Sequence, residues 1–143
     1  MKALSLLIFL IVPSFIFAQE ADDVLGYWLT DDGDAKIEIF KDDGQYHGKI
    51  VWLREPLDEE GKPKTDTNNP DVAKRTDPVI GLRLVSGFTF DDNQWEEGEI
   101  YDPKDGKTYS CRMRLKKGKL EVRGYVGMPM FGRTVIWSQT TLE

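Results

Sequence analysis

Apolar and polar residues take turns along most of this chain, and the alternation stops at short clusters of Asp, Asn, Gly and Pro. Ala35, Ile37 and Ile39 alternate with Lys36 and Glu38, and Asp42-Asp43-Gly44 ends the run. A strand turns successive side chains to opposite faces, so this period marks strands with one buried face. Asp-Gly pairs accept the left-handed backbone of a tight hairpin. The same reading predicts strands over Val24–Thr30, Ala35–Phe40, Gln45–Leu53, Gln94–Tyr101, Lys107–Leu115, Lys119–Val126 and Phe131–Gln139. Within Gln45–Leu53 it puts Tyr46, Gly48, Ile50 and Trp52 on one face. Val79–Phe90 reads as one long strand or a bent pair, with Gly81 and Gly87 as the bend points.

Every connection but one has hairpin length. Asp102-Pro103-Lys104-Asp105-Gly106 is a strong turn, because Pro presets one dihedral and Gly accepts a positive one. The exception is Arg54–Pro78, which carries Pro56, Pro63, Pro70 and Pro78, many charges and few apolar residues. A loop that long is unusual inside a compact domain and reads as a functional flap or a mobile excursion. About eight strands joined locally make an antiparallel meander, and a meander removes its exposed edges by closing. The expected fold class is therefore all-β, an antiparallel barrel of about eight strands with one long loop. A two-sheet sandwich is the alternative. An eight-stranded barrel is just wide enough to be filled by side chains or to hold one small ligand.

The alternation begins only after residue 18. Lys2 and the apolar run Leu4–Phe17, ending at Ala18 before Gln19, resemble a removable export signal. The run is short for a membrane span of about 20 residues. Residues 1–18 are expected to be removed, leaving 19–143 as a single periplasmic or extracellular domain. No Cys follows the run, so no lipoprotein anchor is expected, and nothing later is apolar enough to cross a bilayer as a helix.

Asp and Glu outnumber Lys and Arg, 25 to 19, which disfavours nucleic acid as a partner. Cys111 has no second Cys to pair with, and its alternation with Tyr109 and Met113 makes it a small core residue rather than a nucleophile. His47 lies opposite in parity to Tyr46 and Gly48 and is expected on the outer layer, so no transition-metal site is expected. Asp66, Asn68, Asn69 and Asp71 bring four oxygen donors together, as a calcium loop would. They lack the Gly and distal Glu of a hand-type loop and read better as turn residues. Glu97 and Glu99 fall on one strand face at a spacing glycosidases use, and adjacent acids of this kind are commonly a solvated face. No catalytic constellation, metal or cofactor is implied.

The residues best suited to a ligand are aromatics and arginines of the second half. Trp95 and Tyr101 share parity, as do Arg123 with Tyr125 and Arg133 with Trp137. Flat apolar area beside fixed guanidinium donors suits a small apolar or acidic molecule, anchored by Arg123 or Arg112. The competing reading is that these side chains simply fill the core. Three functions follow: a carrier or sensor of such a ligand, a filled barrel acting as an interaction module of the cell envelope, and, least favoured, a hydrolase.

Gly26-Tyr27-Trp28 resembles the Gly-x-Trp signature of lipocalins and related calycins. That resemblance implies that Trp28 plugs one end of the barrel, with Arg133 of the last strand lying across it. A wider set is similar to the bacterial domain-of-unknown-function family 2147. It comprises Gly26-Tyr27-Trp28, Gly48-Lys49-Ile50-Val51-Trp52-Leu53, Asp66-Thr67-Asn68-Asn69-Pro70-Asp71 with Arg75, Pro78 and Gly81-Leu82, then Trp95, Gly98-Glu99-Ile100-Tyr101-Asp102-Pro103, Asp105-Gly106-Lys107-Thr108-Tyr109, Val122-Arg123-Gly124-Tyr125-Val126-Gly127, and Phe131-Gly132-Arg133-Thr134 through Trp137. Ser138-Gln139 departs from that pattern, where a hydroxyl residue and an Arg are expected. The resemblance implies an exported lipocalin-like barrel and no activity.

Overall fold

The computed structural model describes residues 19–143 and, before them, Pro13 alone. The expected export signal at 1–18 lies outside the described residues, Pro13 excepted. Eight antiparallel strands follow one another around a closed ring: β1 (Gly26–Leu29), β2 (Ala35–Asp42), β3 (Gln45–Leu53), β4 (Arg83–Asp91), β5 (Gln94–Asp102), β6 (Lys107–Lys116), β7 (Lys119–Tyr125) and β8 (Arg133–Thr140). Closure comes from β1 on β8, with Tyr27 opposite Thr140 and Leu29 opposite Ser138. The barrel, not the sandwich, is the fold, and no strand edge between Gly26 and Thr140 is left without a neighbour.

The strands begin and end close to where alternation places them, with one larger difference. Val79–Leu82 is not strand. Gly81 takes a φ of +97° there, and the chain turns before β4 starts at Arg83. Val24 ends a 3-10 turn (Ala21–Val24) instead of opening β1.

Two bulges matter more, because an extra residue flips every later side chain to the other face. On β3, Ile50 faces Ile37 but Trp52 faces Lys36, so Val51 is the extra residue. Trp52 therefore shares a face with Lys36, whose ammonium lies 5.1 Å from its ring centre. The expectation that Trp52 lies on the face of Tyr46 and Ile50 is corrected, and Leu53 joins the inner face instead. On β5, Trp95 faces Met113 and Gly98 faces Cys111, so two residues of β5 stand against Arg112 alone. Glu97 is in the left-handed region at φ +61°. Trp95 and Tyr101 consequently do not share a face.

The two ends of the barrel differ. At the end holding the 3-10 turn, Trp28, Trp95, Phe88, Met113 and Leu120 are fully buried and fill the axis. Glycines make room for the rings. A Cβ on Gly98 would stand 2.3 Å from Phe88 Cε1, and one on Gly48 would stand 2.6 Å from Val85 Cγ2. The indole of Trp28 donates to the Val24 carbonyl at 2.9 Å, and that of Trp95 donates to the Ala21 carbonyl at 3.0 Å. Both rings are thus tied to the turn that covers this end.

Candidate functional site

At the opposite end the barrel is not filled. A cup of about 1420 Å³ opens between the β1–β2, β3–β4, β5–β6 and β7–β8 connections. Trp137, Ile50 and Val122 line its deeper part, and all three are also part of the packed core. Leu53, Ile100, Val135 and Gly124 belong to its walls. Each strand delivers these side chains by alternation. Leu120, Val122 and Gly124 of β7 face Trp137, Val135 and Arg133 of β8 in register.

The mouth is polar. Seven carboxylates between Asp31 and Asp105 line it, against four cations: Arg54, Lys64, Lys104 and Arg133. Three of the cations are engaged. Arg54 pairs with Asp34 and also donates to the Asp32 carbonyl at 2.8 Å; Lys64 lies 4.0 Å from Glu55, and Lys104 3.9 Å from Asp32. Among the described residues Arg133 has no carboxylate partner. The mouth is thus net negative and repels anions in general, and Arg133 is its one guanidinium open to a single carboxylate at close range.

The long loop is neither mobile excursion nor bare flap, for it is docked. Asp66 is 1% exposed. Its carboxylate accepts from Tyr101 Oη at 2.7 Å and from Asn69 Nδ2 at 2.8 Å. Asn68 Nδ2 donates to the carbonyls of Pro103 and Lys104 at 3.1 and 3.0 Å. Asp71 caps a short 3-10 turn at Val72–Lys74. All four residues of the segment therefore serve loop structure, Asn68 through its amide nitrogen and Asp66, Asn69 and Asp71 through their oxygens. Among the described residues no three of His, Cys, Asp and Glu cluster as metal ligands would. Burial and the bond to Asp66 push the Tyr101 phenol up to about 12, burial being the larger cause.

The remaining sequence candidates divide between cup, core and outer face. Tyr101, Tyr125 and Arg133 line the cup. Trp95 is in the filled half, fully buried, and reaches no ligand space. Arg112 and Arg123 face each other across β6 and β7, and Arg123 faces Thr134. Their neighbours Cys111, Met113, Val122 and Gly124 point inward, so both arginines point out. The expected anchoring by Arg112 or Arg123 is thereby corrected. Arg123 instead holds its own loop: Nε donates to the Pro129 carbonyl at 2.6 Å and Nη1 to Thr134 Oγ1 at 2.7 Å.

Arg133 does not lie across Trp28. Trp28 is opposite Gln139, six residues further along β8, a separation of about 20 Å at strand rise. Arg133 is at the mouth and Trp28 is at the filled end. Glu97 and Glu99 are both exposed, away from the cup. His47 is buried on the outer side against Phe40, its ring 5.7 Å from that ring, and its Nδ1 accepts from the Gly87 amide at 3.1 Å. Cys111 is fully buried, and desolvation pushes its thiol up to about 12. The cup residues Leu53 and Ile100 escaped the sequence reading, since each follows a bulge that alternation does not announce.

Residues 26–139 match the family described as "uncharacterized protein conserved in bacteria (DUF2147)". The chain belongs to this family. A solved structure described as "Protein HP1028 from the human pathogen Helicobacter pylori belongs to the lipocalin family" superposes with a TM-score of 0.73. The match covers 84% of each chain at 20% sequence identity. At that identity the likeness shows the fold, and this DUF2147 domain is an eight-stranded lipocalin-like barrel. A search of curated proteins found no match.

Proposed function

We propose that this barrel binds one small molecule with an apolar body and a single polar or acidic end, and that it carries or senses that molecule after export. The observation that supports the reading is the half-filled lumen. The same ring of strands that packs to its axis around Trp95 and Phe88 leaves an open space above Trp137, about 1420 Å³ when the rim and the long loop are counted with it. Apolar walls below a polar rim are the ordinary anatomy of a small-molecule site. A ligand burying about 300 Å² of apolar surface would gain about 7.5 kcal/mol before ordering costs. The polar end would sit at the rim, where Arg133 is the cation with no carboxylate partner among the described residues. Export rests on the Lys2, Leu4–Phe17 and Ala18 pattern. The reading makes the protein a binder rather than an enzyme. The interaction-module alternative draws its support from the filled half of the barrel.

The test is a thermal-shift panel of long-chain acids and the matching alcohols. Members of both sets are expected to raise the melting temperature. Arg133→Gln is expected to reduce the shift for acids and leave that for alcohols. No shift with either set would contradict the reading.

A further inference from the structure

The chain is acidic, yet one part of its surface combines arginines with bare apolar side chains. The β7–β8 connection carries four exposed apolar residues in six positions: Val126, Met128, Met130 and Phe131, from 55% exposed at Met128 to 74% at Phe131. Such density in one short segment is not the scattered exposure of an ordinary surface. The loop is also ordered in advance. Pro129–Phe131 forms a 3-10 turn, and Arg123 donates to two of its carbonyls, Pro129 at 2.6 Å and Met130 at 3.4 Å.

Beside the loop, on the outer face of β6–β8, lies a shallow hollow of about 280 Å³. Arg112, Arg114 and Arg123 line it together with Met130. Arg114 is paired with Glu121 at 3.1 Å. Arg112 and Arg123 have no carboxylate partner among the described residues. Two guanidiniums without counter-charge next to protruding Met and Phe side chains match two features of one surface, the phosphates and the acyl boundary of an anionic bilayer.

We propose that the Val126–Phe131 loop, with Arg112 and Arg123, is a docking surface for anionic phospholipid bilayers. The apolar residues protrude rather than form a groove, which suits insertion into a fluid surface better than reception of a folded partner. The acidic remainder of the protein is repelled by the same bilayer, so the basic face is the one that approaches. Val126 and Phe131 also form part of the cup lip, so a docked barrel brings its mouth to the membrane. The docking claim does not depend on the cup having a ligand.

The experiment uses the full chain with Met128→Cys labelled by an environment-sensitive fluorophore. Cys111 is buried and does not compete for the label. The protein is mixed with vesicles of phosphatidylcholine alone or containing phosphatidylglycerol, with and without brominated acyl chains. A fluorophore at position 128 reports contact by this loop. The expected result is a blue shift and bromine quenching that need phosphatidylglycerol and weaken with salt. Arg112→Gln is expected to weaken vesicle affinity about fivefold, and Met130→Glu to abolish quenching. Neither residue lines the cup, so the thermal shifts with acids and alcohols should persist in both variants. Equal quenching on both vesicle types, no quenching, or indifference to Arg112→Gln would overturn the proposal. So would a blue shift that grows with protein concentration without vesicles, which would assign the surface to a second copy of the chain.

Discussion

Tyr101 on β5 donates its phenol to the carboxylate of Asp66 in the long β3–β4 connection, at 2.7 Å, and the acceptor is almost wholly out of water. This bond joins two parts of the chain that alternation treats separately. A buried carboxylate held by two neutral donors tolerates the loss of neither well, because the stranded oxygen loses both water and partner. Tyr101→Phe is expected to cost about 1–3 kcal/mol in urea unfolding. It should also expose the Arg54–Leu82 connection to proteases before the barrel itself unfolds. Unchanged stability and unchanged cleavage would show that the loop is docked by other means.

The same phenol makes a prediction for alkaline solution. Its folded pKa of about 12 lies above the ordinary value of 10. The unfolded chain therefore ionises first, and the contribution is whole below about pH 10. It is lost as pH rises from there through about 12. Burial raises Tyr46 and the bond to Asp105 raises Tyr109 as well, so ultraviolet titration should lose one of several late phenolates in Tyr101→Phe, and the stability gap between the two proteins should narrow across that window.

Gly98 sits where the Phe88 ring crosses β5, and a methyl there would overlap three ring carbons. The filled half has no slack to absorb it, so Gly98→Ala is expected to lower stability by about 1–3 kcal/mol. Phe88→Leu in the same background should recover part of the loss. A neutral Gly98→Ala would mean that this half of the barrel is loosely packed, contrary to the burial of its side chains.

Cys111 is enclosed and its thiol is pushed up to about 12 by desolvation. Thiolate, not thiol, reacts, so a thiol reagent should modify the native protein far more slowly than the denatured one. Equal rates would place Cys111 in a part of the barrel that opens readily.

How much of this was legible beforehand depended on whether alternation ran unbroken. β2, β6 and β7 keep strict period two, and their inner faces follow directly from Ile37, Cys111 and Val122. The same count already turns Arg112 and Arg123 outward, since each stands next to a buried residue. Trp52, Leu53, Tyr101 and Ile100 were beyond it, because Val51 and Glu97 each insert one residue and leave no compositional mark. The docked loop was hidden for another reason. Asp66 and Asn68 act through partners on β5 and its following turn, and such long-range pairing has no local period. Arg133 needed the register, since only the pairing of Gln139 with Trp28 reveals how far apart the two ends lie.

Native mass spectrometry of the protein purified from its own host shows whether the open half of the lumen holds a ligand. Ile100→Trp, which adds bulk to the cup wall, is the control. An added small-molecule mass is expected on the wild-type chain and is reduced or missing in the variant. Bare polypeptide mass for both, or the same adduct on both, would contradict it.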